Sequence, residues 1–220
     1  MEAAKKIAKE KRIIEAATGV LAEYGIASAR MDDIAKAAGI TKVTLYSYFE
    51  SKDNLYMAII HRAFQALTDN FYDTINRNKD ESGLDATIAI LNSFIEFCES
   101  NFLYAEAILD YFSMIRKISR EEKMGKTKNP ISEGIYFAKI QDLQNLPLKL
   151  TVKEMERGIK DGSIRSDINC MLHAMHGWTV VVGYIKLLSA TTPDYALVLN
   201  VNLKSLKALS LDIARKALTA

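Results

Sequence analysis

The sequence predicts an all-α protein. Three observations carry this. Apolar residues recur at three- and four-residue spacing along the whole chain, with no strand-like alternation of useful length. Gly25, Gly39, Gly162 and Pro193 interrupt that pattern where helices should stop. A very short amphipathic stretch, residues 41–49, lies between two longer helical segments, and a helix of barely two turns is not stable by propensity alone.

Residues 5–24 place Ile7, Ile14, Ala17, Leu21 and Tyr24 on one face and end at Gly25. Residues 31–38 follow, with Asp32 and Asp33 in the first turn, where the helix dipole favours them. Thr41 is a competent N-cap for the short helix, and Ser51 caps a long one over residues 52–78. Helices are expected at 84–100, with Leu84, Ile88, Leu91, Ile95 and Cys98 on one stripe, and at 102–119, with Leu109, Phe112 and Ile115. The charged segment REEKMGKTKNP reads as a mobile loop. Beyond it lie helices at 131–160, kinked or split by Pro147, at 167–189 and at 194–217.

Composition bounds the function. With 220 residues, 49% of them hydrophobic, the chain can bury a sizeable core in one or two domains. A formal net charge of +2 means that any basic footprint for nucleic acid is local. Lys5, Lys6, Lys9, Lys11 and Arg12 offer one, offset by Glu2 and Glu10; a solvated helix face is the plain alternative. The first residues lack the apolar core of a secretory signal, and WTVVVGYIKLL is too short to span a bilayer and carries Lys186. A soluble, cytoplasmic protein with no membrane partner is expected, its Cys98 and Cys170 reduced. MGKTK lacks the upstream glycine of a phosphate loop, and neither Gly-x-Ser-x-Gly nor Glu-x-x-His occurs. The expectation is therefore a protein that is not an enzyme and needs no cofactor.

At about 100° per residue the short helix puts Leu45 and Phe49 together, with Val43, Thr44 and Ser47 opposite them. Lys42 and Tyr46 flank one edge; Thr41 and Tyr48 flank the other. At roughly 1.5 Å per residue the stretch is about 12 Å long, close to the width of a DNA major groove. Small hydroxyl and methyl groups in the middle, with phosphate-binding groups at the rim, suit a helix that reads base edges. Tyr46 and Tyr48 would also serve as half-buried aromatics bridging helices.

The stretch from Arg12 to Leu55 resembles the helix-turn-helix region of the tetracycline-repressor (TetR) family. The matching residues are Ala16-Ala17, Gly25, Asp32-Asp33-Ile34-Ala35, Ala38-Gly39-Ile40, Thr44-Leu45-Tyr46, Tyr48-Phe49 and Ser51 to Leu55. The resemblance implies a homodimer in which an N-terminal three-helix helix-turn-helix head, residues 1–50, binds double-stranded operator DNA and a larger helical domain, residues 51–220, holds a small effector and the dimer interface. It implies that Thr41, Lys42, Val43, Thr44, Tyr46, Ser47 and Tyr48 face DNA, and that Lys52 binds phosphate. Position 43 is often glycine in the family, and Ala29-Arg30 replaces its usual hydroxyl pair, so a phosphate contact passes to Arg30.

Phe94, Phe97, Tyr104, Phe112, Tyr136, Phe137 and Trp178 are candidates to line a pocket for an apolar or amphipathic effector, with ordinary core as the alternative. His173 and His176 are candidate pocket residues too. With Cys170 they fall at i, i+3 and i+6, which spreads them over nearly a full turn and disfavours a metal site. Val180, Val181, Val182, Tyr184 and Leu187, and Leu197, Val201, Leu206, Leu209 and Ile213, give the last two helices surplus apolar surface for a twofold partner. The alternative is a DNA-binding regulator whose C-terminal domain holds a peptide or protein.

Overall fold

The computed structural model describes residues 2–124, 131–132, 134–190 and 202–219. Helix follows helix: α1 (Glu2–Ser28), α2 (Met31–Ala37), α3 (Lys42–Tyr48), α4 (Lys52–Arg77), α5 (Gly83–Ser100), α6 (Phe102–Lys123), α7 (Ile135–Leu143), α8 (Leu146–Asp161), α9 (Cys170–Ala190) and α10 (Leu203–Leu218). No strand occurs among the described residues.

Local chemistry explains most boundaries. Gly25 leaves helical geometry at φ 75° and ψ 160°, and α1 resumes for one turn beyond it. Thr41 caps α3 by accepting from the Thr44 amide, Ser51 caps α4 through Asn54, and Gly162 ends α8 in the left-handed region at φ 79°. Pro147 lies in the first turn of α8, where its missing N–H costs nothing. The helix expected over 131–160 is accordingly two, α7 and α8. The segment expected to be a loop from residue 120 is helical through Lys123, with Arg120 and Lys123 in the last turn facing the negative end of the α6 dipole; residues 125–130 lie outside the described residues.

The chain forms two compact units, Met1–Phe64 with Glu106–Gln141 and Gln65–Ala105 with Asp142–Ala220. In the first, α1 packs on α2 and α2 on α3. Ile13, Ile34, Leu45, Leu55 and Ile59 are fully buried, Phe64 meets Tyr111 edge to face at 5.5 Å, and the Tyr56 hydroxyl donates to Asp110 at 2.8 Å. Ile14, Ala17 and Leu21 are core as expected, but Ile7 and Tyr24 are exposed. The buried stripe of α1 begins at Ile13, and residues 4–8 before it are exposed.

In the second unit α5 packs against α8, α9 and α10. One cluster of its core is Leu84, Met155, Ile164, Ala174 and Leu218. The N-terminus of α5 meets the C-terminal half of α8 backbone to backbone: a Cβ on Gly83 would lie 2.1 Å from the Gly158 nitrogen. Asp161 accepts from the Gly83 amide at 2.7 Å, and the Ser163 hydroxyl accepts from that of Leu84 at 3.1 Å. Two of the α9 residues read as surplus surface, Val181 and Tyr184, are core instead. The exposed apolar residues of α9 are Met171, Leu172, Met175 and Leu187, and those of α10 are Leu209 and Ile213. Leu197 and Val201 lie outside the described residues. No described helix is long and apolar enough to cross a membrane.

Candidate functional site

A seven-residue helix depends on its neighbours, and α3 is held by Leu45, which is fully buried, with Phe49 buried just past its end. That leaves the opposite face to solvent. Val43 is 81% exposed, and Lys42, Tyr46 and Ser47 are exposed beside it. The hydroxyls of Thr41 and Thr44 share a hydrogen bond of 2.9 Å, and Ser47 Oγ donates to the Thr44 carbonyl at 2.7 Å. Lys42 Nζ lies 2.8 Å from Asp32, both side chains more than half exposed, so the pair is weak and either partner can be drawn away. Tyr48 is half-buried, with the Lys9 ammonium 5.9 Å from its ring centre.

Two sequence-predicted phosphate binders differ in their surroundings. Arg30 is exposed at the N-cap of α2, and its side chain makes no capping bond. Lys52 is half-buried and donates to the carbonyls of Ala29 at 2.9 Å and Ala27 at 3.2 Å. Its ammonium thereby pins the end of α1 to the start of α4, with one N–H left over. From sequence Asp32 reads as a helix-dipole acid and Lys9 as part of a basic run; their partners, Lys42 and Tyr48, are brought in from a neighbouring helix.

In the second unit a cavity of about 360 Å³ opens between α5, α8, α9 and α10, within the usual range of small-molecule sites. Phe94, His173, His176 and Trp178 line it. Phe94 meets Phe71 edge to face at 5.6 Å and Trp178 at 4.9 Å, forming one aromatic wall. Aliphatic side chains, Leu91, Met155 and Ile213 among them, form most of the rest, which a search for aromatics did not reveal. Amphipathic stripes on α5, α8 and α10 were the signal that could have found them.

The other candidates lie elsewhere. Phe97 is buried without reaching the cavity, and Tyr104 is half-buried at the start of α6. Phe112 belongs to the first unit, against Phe64 and Tyr111. Tyr136 donates to Glu10 and stacks on Phe49; with Phe137 and Tyr48 it lines a different cavity, of about 410 Å³, in the first unit. His173 Nδ1 faces the Asn169 carbonyl at 3.0 Å.

Residues 13–59 match the family model described as bacterial regulatory proteins, tetR family, a stretch running from the buried stripe of α1 through α3 into α4. Over these residues the chain is similar to the TetR family. The chain is 36% identical to the nucleoid occlusion factor SlmA of Haemophilus ducreyi over 100 residues, 44% of this chain and 48% of that protein. The match thus spans about half the length of such relatives. The HTH-type transcriptional repressor KstR2 of Rhodococcus jostii is 26% identical over 170 residues, 76% of this chain and 73% of that one. The TetR fold extends further: the ketosteroid transcriptional regulator KstR2 of Mycobacterium tuberculosis superposes with a TM-score of 0.65 at 18% identity, covering 96% of this chain and 95% of the other.

Proposed function

We propose that the protein is a ligand-responsive transcriptional repressor that binds a pseudo-palindromic operator as a homodimer in the cytoplasm, residues 1–50 reading DNA and residues 51–220 holding effector and partner. The observation that carries this is α3: a helix too short to stand alone, clamped by Leu45, with its opposite face open and bearing Val43, Tyr46 and Ser47. Two such helices about 34–36 Å apart would enter successive major grooves. Exposed apolar residues on α9 and α10 support the twofold partner.

The apolar cavity supports a small lipophilic effector, in keeping with the ketosteroid regulator among the similar structures. Such an effector favours a state with the heads wrongly spaced, and a typical coupling of about 1–3 kcal/mol weakens DNA binding roughly 5- to 150-fold. Helix α4 is the lever in this reading: it is continuous from Lys52 to Arg77, and its residues belong to the first unit up to Phe64 and to the second beyond it.

Selection of bound fragments from random genomic DNA tests the proposal. The expected result is a few enriched fragments sharing an inverted repeat, each bound by two chains. Retention of all fragments alike, or of none, would refute it. The rival reading, a peptide or protein on the C-terminal domain, draws on the exposed Met171, Leu172 and Met175. It predicts DNA release by a polypeptide and none by small lipophiles.

A further inference from the structure

The chemistry of the cavity wall restricts what the proposed effector can be. Among the described residues that line it there is no Lys, Arg, Asp or Glu. A carboxylate or an ammonium drawn inside would lie unpaired in an apolar site, which costs far more than burying a neutral group. The polar side chains present are Thr87, Thr151, Ser210, His173 and His176, besides the Trp178 indole.

Each hydroxyl has already placed its proton. Thr87 Oγ1 donates to the Gly83 carbonyl at 2.8 Å, Thr151 Oγ1 to that of Pro147 at 3.0 Å, and Ser210 Oγ to that of Leu206 at 2.9 Å. What these groups still offer is oxygen lone pairs. His173 Nδ1 faces the Asn169 carbonyl, which can only accept, so Nδ1 donates there. His176, on the exposed side, adapts to either role. The wall therefore carries no Lys, Arg, Asp or Glu and its hydroxyls offer acceptors, and a ligand complementary to it is neutral and brings its own hydrogen-bond donor.

We infer that the effector is a neutral lipophile bearing a hydroxyl group, the apolar body lying against Phe94, Trp178 and the aliphatic walls and the hydroxyl donating to an acceptor of the cavity. This rests on the ligand-sensor reading above and narrows it to one chemical class, setting aside fatty carboxylates and cationic amphiphiles.

The test uses the full chain and three probes of equal length: dodecan-1-ol, dodecan-2-one and dodecanoate. Trp178 is the single tryptophan of the sequence and lines the cavity, so its fluorescence reports occupancy directly. The alcohol should saturate the signal with an affinity about three- to tenfold above the ketone, the worth of one hydrogen bond, and about a hundredfold or more above the carboxylate. Ser210→Lys, which sets an ammonium at the wall, should raise carboxylate binding to the level of the alcohol. A ketone or carboxylate that matches the alcohol on the unaltered protein would overturn this inference and leave the ligand-sensor reading standing. Carboxylate binding unmoved in a Ser210→Lys protein of unchanged helical content would also overturn it. No response to any of the three would sink the ligand-sensor reading itself.

Discussion

Gly83→Ala tests how tightly the walls of the cavity are set. The added Cβ would lie 2.1 Å from the Gly158 nitrogen, 2.3 Å from its Cα and 2.8 Å from the Arg157 carbonyl carbon, where ordinary contact begins at 3.4 Å. All three obstacles are backbone, so no rotamer change relieves them, and α5 and α8 must separate by more than about 1 Å. Overpacking of a close-packed contact costs about 1–3 kcal/mol. Separation also stretches the hydrogen bonds that the Gly83 amide donates to Asp161 and the Leu84 amide to Ser163. A total near 3 kcal/mol lowers the melting temperature of a chain this size by about 6–12 °C. Gly19→Ala is the control: its Cβ meets nothing within 4 Å in the middle of α1, and removing a helical glycine should stabilise by about 0.5–1 kcal/mol. Thermal unfolding followed by circular dichroism reads both. A Gly83→Ala protein melting within about 2 °C of the parent would show that the α5–α8 contact is not tight and that the reasoning fails.

At the DNA face, Val43→Gly and Ser47→Ala should change base preference by about 1 kcal/mol per position with the salt dependence unaltered, whereas Lys52→Ala should weaken operator and scrambled DNA alike; anisotropy titrations at several salt concentrations would expose the reverse pattern. Burial pushes the Cys98 thiol up to about 12, and Cys98 is almost wholly buried. A thiol reagent at pH 8 should therefore label Cys170 first and reach Cys98 only on unfolding, and equal rates would contradict the packing of α5. Asp85 is held below the ordinary carboxylate range by the Ser82 hydroxyl and then by Arg215. A carboxyl depressed in the folded state contributes stability that is present above its ordinary value of 3.8 and lost as pH falls through the lowered one. Asp85→Asn should then flatten the decline in melting temperature below pH 3.8, and an unchanged acid limb would count against the assignment.

How much of this was legible in the sequence follows from the range over which each feature is determined. The short helix was readable because its caps, Thr41 and Ser51, and its buried pair, Leu45 and Phe49, are local. Lys52 was readable as a cation near a helix start, but its carbonyl partners lie 23 and 25 residues away. The pocket was half readable for the same reason. Periodicity marks each helix's apolar face without saying which faces meet, so Phe94, His173, His176 and Trp178 converge while Phe112, Tyr136 and Phe137 belong to the other unit. Val181 and Tyr184 show the limit on α9, whose nearly all-round hydrophobicity hides which side is core.

One wall of the cavity, α10, is fastened to α5 in an unequal way. Leu218 is buried at its end, but along its length the ties are ion pairs: Lys207 with Glu96 at 3.1 Å and Glu99 at 3.6 Å, and Arg215 with Asp85 at 2.8 Å. The Arg215–Asp85 pair is exposed on both sides and weakens as counter-ions accumulate, whereas Lys207 is only 17% exposed and its pairs are screened less. Salt that weakens these pairs should loosen the helix while Leu218 stays buried. Salt should speed the entry and exit of an uncharged guest together, leaving its affinity nearly constant; stopped-flow Trp178 traces at low and high ionic strength would show it, and rates indifferent to salt would mean that the guest comes in by another side.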